Sequence, residues 1–337
     1  MDLEVVVSRG AIEESRHRIH FALCDADGTL REGSASPHLV TTFRSAAKPF
    51  QLLPLVERGH ADRFGFDDEQ LAVMASSHTG SREHLRLVAG ILERIGLGPG
   101  ALACGYHEPE DPESRDALFR GSAARSPMYN NCSGKHAGLL ALVVAEGWPL
   151  EGYHRLGHPL QQLLLETVAD VCGVRPASVE TAVDGCSLVV FALPISAMAR
   201  AYARLGGAAA PGGGDARRRA MGRIARAMAA HPRAVEGRGR VSTALMEATS
   251  GRLVAKGGAE ALQLVADRAS GLGLAIKCED GASRAVGPAL ITLLEHIGAL
   301  SGDEAGRLAS IRGPVLTNAA GLEVGRIEAR IGAHASA

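Results

Sequence analysis

Ser45 and Lys48 stand three residues apart, just ahead of an apolar stretch that begins at Phe50. On a helical turn, side chains at i and i+3 share a face, so the amine can reach the hydroxyl. A lysine kept dry can shed its proton and accept that of the serine, which makes a nucleophile without a histidine. Lysine usage sharpens the point. Among 36 basic residues only Lys48, Lys135, Lys256 and Lys277 are lysine; all the others are arginine. Arginine keeps its proton near neutral pH, so a position that needs a neutral amine excludes it. Three of the four lie in motif-like settings: Ser45-Ala-Ala-Lys48, Cys132-Ser-Gly-Lys135 and Lys256-Gly-Gly258. Taken alone, Ser45 also reads as a helix cap and Lys48 as a solvated cation, so context has to decide.

That context comes from other segments. Ser76-Ser-His-Thr-Gly80 is a small, polar, glycine-ended stretch after an apolar helix, either a capped turn or a loop over a site. The glycines after Lys256 allow close backbone approach, with N–H donors available to an oxyanion. Asn130-Asn-Cys132-Ser-Gly-Lys135-His136 leads into an apolar helix, and Asp184-Gly-Cys186 precedes another predicted one. Two thiols and a carboxylate at helix starts can hold Zn²⁺, which takes four N, S or O ligands. Lys135 would ligate only when deprotonated, and His136 is a more orthodox donor for the same place. A reactive cysteine near a helix N-terminus and plain core packing both stay open for Cys132 and Cys186. Cys24, Cys104, Cys172 and Cys278 lack such company and read as packing residues.

The elements that must position these groups follow from periodicity. Strands are expected near 3–8 and 17–24, with Asp25-Ala-Asp-Gly28 turning into a return strand at 29–32. Helical spacing covers about 49–58, 67–75, 81–95, 134–146, 159–171 and 188–205, and an Arg-rich helix covers 215–230. Pro49 disfavours helical geometry at Lys48, which puts Ser-x-x-Lys in the turn before the helix. Strands return near 252–255, 271–278 and 324–331. Glu279-Asp-Gly281 gives a hairpin signal, and helices at 284–297 and 303–311 separate the last two strands. The Gly/Ala/Pro stretch 206–214 reads as a flexible loop. The expectation is an α+β fold, one antiparallel sheet built from both chain ends and flanked by helices. The sheet part would span about 1–60 and 240–337, the inserted helical part about 61–239.

Hydrophobic content of 46% and charged content of 22% fit a soluble globular protein. A net charge of −1 argues against nucleic-acid binding. No apolar run is long enough to cross a bilayer. The first residues lack the basic and apolar regions of an export signal, so the six cysteines read as reduced thiols of a cytoplasmic protein.

Together these residues resemble the rhizobial-type (class 3) L-asparaginase II family. The matching segments are Arg44-Ser-Ala-Ala-Lys-Pro-Phe-Gln51, Ser77-His-Thr-Gly80, Asn131-Cys-Ser-Gly-Lys-His136, Asp184-Gly-Cys186, Lys256-Gly-Gly-Ala-Glu260 and Lys277-Cys-Glu-Asp-Gly281. They run in family order over most of the chain. The resemblance implies a serine β-lactamase/glutaminase-like fold, a homodimer, and hydrolysis of L-asparagine to L-aspartate and ammonia. It implies two catalytic Ser–Lys pairs, Ser45 with Lys48 and Ser77 with Lys256. It also implies zinc on Cys132, Lys135 and Cys186, aiding substrate binding, with Asp184 close by. Arg44 reads either as a clamp on the substrate carboxylate or as a solvated cation, and Asp184 and His136 are the other candidate substrate contacts. On this reading Ser45 attacks the amide and the second pair shuttles the proton to the leaving amine and back. Ser187-Leu-Val-Val after Cys186 and Ser81 after Gly80 depart from the family pattern, as does the loop after Leu205. Other readings are a different Ser-x-x-Lys acyl-transfer hydrolase (glutaminase, esterase, β-lactamase or peptidase) and a non-catalytic amino-acid- or zinc-binding protein.

Overall fold

Runs of valine, isoleucine and leucine near both ends of the chain meet in one sheet. The computed structural model describes residues 1–208 and 214–332; the loop expected over 206–214 lies, at 209–213, outside the described residues. The chain opens with β1 (Asp2–Arg9), β2 (Ile12–Cys24) and β3 (Leu30–Gly33). A short β4 (Val40–Thr42) follows, and β5 (Glu180–Val183) and β6 (Val189–Pro194) come much later. The last third adds β7 (Leu253–Gly258), β8 (Leu262–Asp267), β9 (Gly273–Cys278), β10 (Val315–Thr317) and β11 (Glu323–Gly332). The large sheet has the order β10-β11-β1-β2-β9-β8-β7, with β3 also on β2, and every pairing is antiparallel. The second half of β2, residues 19–24, is buried at every position, so both faces of the sheet are covered there. Helix Ile195–Gly207 packs on β2, β8 and β9, and helix Val286–His296 on β1, β9 and β11. The architecture is α+β.

Most expected helices form within a residue or two of their predicted bounds. The Ser-x-x-Lys segment is a 3-10 turn, Arg44–Ala47, running straight into helix Lys48–Glu57 with Pro49 in its first turn. Two expectations need correction. The helix expected over 188–205 is a strand, β6, followed by the shorter helix Ile195–Gly207, with Pro194 at the junction. Val-Val-Phe-Ala-Leu is β-branched and aromatic enough to pair with β4 and β5 in a small sheet of order β4-β6-β5. Asp184-Gly-Cys186 therefore sits in a hairpin turn and not at a helix start. Conversely, Glu279-Asp-Gly281 makes a turn but no hairpin, because the helical apolar spacing from Val286 onward takes the chain into a helix.

Candidate active site

The small sheet aims the first group of residues. The Phe43 N–H donates to the Phe191 carbonyl (2.7 Å), so the chain leaving β4 is fixed to β6 where Arg44 begins its turn. Arg44 has φ 46°, a left-handed conformation that strains a non-glycine residue. On the β5–β6 turn the Asp184 N–H donates to the Leu188 carbonyl (2.8 Å). Arg44 Nε lies 3.0 Å from Asp184 Oδ1 and ties the two segments together.

Helices Asp68–Met74 and Ser133–Glu146 supply a second wall. A Cβ on Gly134 would run into the Val73 carbonyl oxygen, and one on Gly138 would lie 2.8 Å from Met74 Cγ. The bare glycines let the helices touch, which brings Ser76 and Ser77 beside the segment holding Cys132 and Lys135. His78 pins the contact. Its N–H donates to the Asn131 carbonyl (3.1 Å), and its Nδ1 accepts from the Gly80 N–H (3.1 Å). That leaves Nε2–H for Ser133 Oγ at 2.8 Å. Burial holds the His78 imidazole far below its usual range, hence neutral.

All four lysines are buried, Lys48 and Lys256 at 0% exposure. Lys48 Nζ lies 2.5 Å from the Ser76 carbonyl oxygen and 2.9 Å from Ser77 Oγ. Burial, helped by the charges of Lys135 and Lys256, brings its pKa down to about 8 against the pull of Cys132 and Cys186. Ser45 is partly buried on the preceding turn, and among the described residues no hydrogen bond engages its hydroxyl. Lys256 Nζ is 2.8 Å from Glu236 Oε1 and 2.8 Å from the Gly257 carbonyl oxygen. The hydrogen bonds thus join Lys48 to Ser77 and Lys256 to Glu236. Glu236 also accepts the Gly257 N–H (2.8 Å), so that donor is committed and not free for an oxyanion. Glu236 carries no sequence signal of its own and lies outside every motif singled out above. Lys277 lies in β9 with its amine on the Cys278 carbonyl.

Cys132, Lys135, Asp184 and Cys186 converge. Lys135 Nζ is 3.0 Å from Cys186 Sγ, and Asp184 Oδ2 lies 3.9 Å from the same sulfur. A hydrogen bond from Cys132, and then Lys135, bring Cys186 down to about 4 despite burial. The same bond, with burial, pushes Cys132 up to about 12 although it caps a helix. Burial works against the Lys135 charge, but the sulfurs and Asp184 outweigh it and hold its pKa up. Burial likewise opposes the Asp184 charge, and Lys135 and Arg44 overcome it. Two sulfurs, an amine and a carboxylate are donors that zinc accepts, Lys135 only after losing its proton. His136 is fully buried behind them, 2.6 Å from Tyr153 Oη; burial first, then Lys135, lower its pKa to about 3.

Among the described residues, the one set of histidine, cysteine and acidic side chains with all donor atoms within 4.8 Å of one another is His17, Cys278 and Asp280. Arg284 Nε donates to His17 Nε2 (3.0 Å), so the ring proton sits on Nδ1 and goes to Asp280 (2.7 Å). That ring has no lone pair left for a metal. The group instead ties the turn after β9 to β2.

A family model described as L-asparaginase II matches residues 5–329. The chain belongs to the L-asparaginase II family. Its activity is that of an L-asparaginase, and the match spans every site residue from Arg44 to Lys256. A search of the curated proteins gave no match. Among the described residues no helix is long and apolar enough to cross a membrane.

Proposed function

We propose that this L-asparaginase hydrolyses the side-chain amide of L-asparagine through a serine ester, with Lys48 as base and Ser77 as the nucleophile. The observation that carries the reading is the 2.9 Å between Lys48 Nζ and Ser77 Oγ, at an amine brought down to about 8. Near neutral pH a useful fraction of such an amine is unprotonated. Ser77 Oγ attacks the amide carbon as its proton passes to Lys48. Lys256, the ammonium beside Glu236, gives a proton to the departing nitrogen, which leaves as ammonia. Water then attacks the aspartyl ester and yields a proton to Lys256, while Lys48 returns its proton to Ser77. One asparagine and one water enter; one aspartate and one ammonia leave.

Ser45 is the second candidate nucleophile, favoured by its place beside the strained Arg44 and on the turn leading into Lys48. Arg44 and Asp184 offer one charge each to the substrate's α-carboxylate and α-ammonium. Cys132, Lys135 and Cys186, with Asp184 close by and His136 behind, are the residues that would hold zinc. When bound, it supplies a positive centre for substrate binding. The antiparallel sheet from both ends fits a serine β-lactamase-like fold, with a sheet part at about 1–60 and 240–337 and a helical part at about 61–239. A cytoplasmic homodimer that binds no nucleic acid completes the reading, and the net charge of −1 supports the last point.

Ammonia release from L-asparagine beside L-glutamine tests the proposal on wild type, Lys48→Ala and Ser77→Ala. Asparagine should be preferred, and each variant should lose about 10²–10⁴-fold in turnover. Near-normal turnover in Lys48→Ala would remove the base.

A further inference from the structure

Glu236 is 8% exposed and belongs to none of the motifs that identify the site. One of its oxygens takes both the Lys256 ammonium and the Gly257 N–H, each at 2.8 Å. A buried carboxylate–ammonium pair contributes little net stability over an apolar pair of the same volume, so stability alone does not explain it. The surroundings are shaped around it. A Cβ on Gly257 would lie 3.1 Å from Glu236 Oε1 and 3.2 Å from Gln263 Oε1. One residue earlier, the Val235 carbonyl accepts the Ser77 N–H at 2.9 Å. A single short segment therefore fixes both Ser77 and Lys256.

We propose that Glu236 is a positioning residue for the asparaginase reaction: its carboxylate keeps Lys256 aimed and charged as the proton donor, while Lys48, with no carboxylate partner among the described residues, acts as base. The inference rests on the Ser–Lys reading given above. Among the described residues few other charges face the pair. Lys48 comes from helix Lys48–Glu57, and Arg44 lies with its Cβ 3.4 Å from where a Gly258 Cβ would stand. Tyr202 of helix Ile195–Gly207 also feels the Glu236 charge. β8 and helix Val241–Ala248 turn only the neutral Gln263 and Ser242 toward it.

The test is Glu236→Gln in the full-length enzyme, beside Lys48→Ala, with kcat and KM for L-asparagine followed across pH. Glutamine keeps an acceptor for the Gly257 N–H and removes the charge. The expected result is a fall in kcat of about tenfold or more with KM little changed. The alkaline limb of the profile should move to lower pH, because an ammonium without its counter-ion gives up its proton more readily. A merely structural role would leave the profile's shape unchanged. A folded Glu236→Gln enzyme with wild-type kcat and profile, beside an inert Lys48→Ala, overturns this proposal alone; an active Lys48→Ala overturns the reading beneath it. If the glutamine variant does not fold, Glu236→Ala assayed with added formate decides. Recovered turnover supports the role, and none overturns it.

Discussion

Lys48 illustrates how one residue's surroundings set its chemistry. Its amine is fully buried, its hydrogen bonds go to a carbonyl and a hydroxyl, and two other lysines press on it. Its pKa falls from 10.5 in the unfolded chain to about 8 in the fold. Between those values the unfolded chain binds the extra proton, so this group makes stability rise with pH across that window. Below about pH 8 the buried ammonium is a constant penalty. Lys48→Met should therefore be inactive yet melt higher than wild type at pH 7, with the gap closing toward pH 10. A lower melting temperature than wild type at pH 7 would mean that the hydrogen bonds of Lys48 outweigh its burial. Turnover of the wild type should rise as pH climbs through 8. The scarcity of lysine marked these positions in the sequence, and all four proved buried. Glu236 was invisible because nothing distinguishes it among 37 acidic residues until the fold sets it against Lys256.

Among elements, helix Ser133–Glu146 matters most, because its glycines let it touch the segment carrying Ser77. Gly134→Ala places a methyl group against the Val73 carbonyl, and the helices must part. The expected cost is roughly 1–3 kcal/mol. Turnover should fall as well, since Cys132 and Lys135 move away from Ser77. Denaturant unfolding beside an ammonia assay checks both, and unchanged stability would mean the helix shifts freely. The helices of this region were legible from their 3.6-residue spacing, and Asp67 and Ser81 prove to cap two of them. The β5–β6 hairpin was not. Glu180–Val183 is exposed at every position and shows no alternation, and Val189–Leu193 is an apolar run that periodicity cannot assign to strand or helix. The cost of missing it was local but real, since this turn holds Asp184 and Cys186.

Over the whole molecule, the site exists only where distant parts of the chain meet. β7 brings Lys256, and the 3-10 turn packed against it brings Ser45. The helical region brings Ser77, Cys132 and Lys135, and the small sheet brings Arg44 and Asp184. Sequence singled out segments that the fold brings together, and it placed both ends in one sheet. It could not show which serine faces which lysine, because that depends on contacts between residues such as Lys48 and Ser77 that are 29 apart in the chain. Intact-mass analysis of enzyme quenched during turnover of L-asparagine, followed by peptide mapping, decides whether a serine ester forms and on which serine. One aspartyl group in ester linkage on Ser77, absent from Lys48→Ala, is the expected result. Steady turnover with no covalent adduct on any serine, under conditions that trap esters, would contradict it.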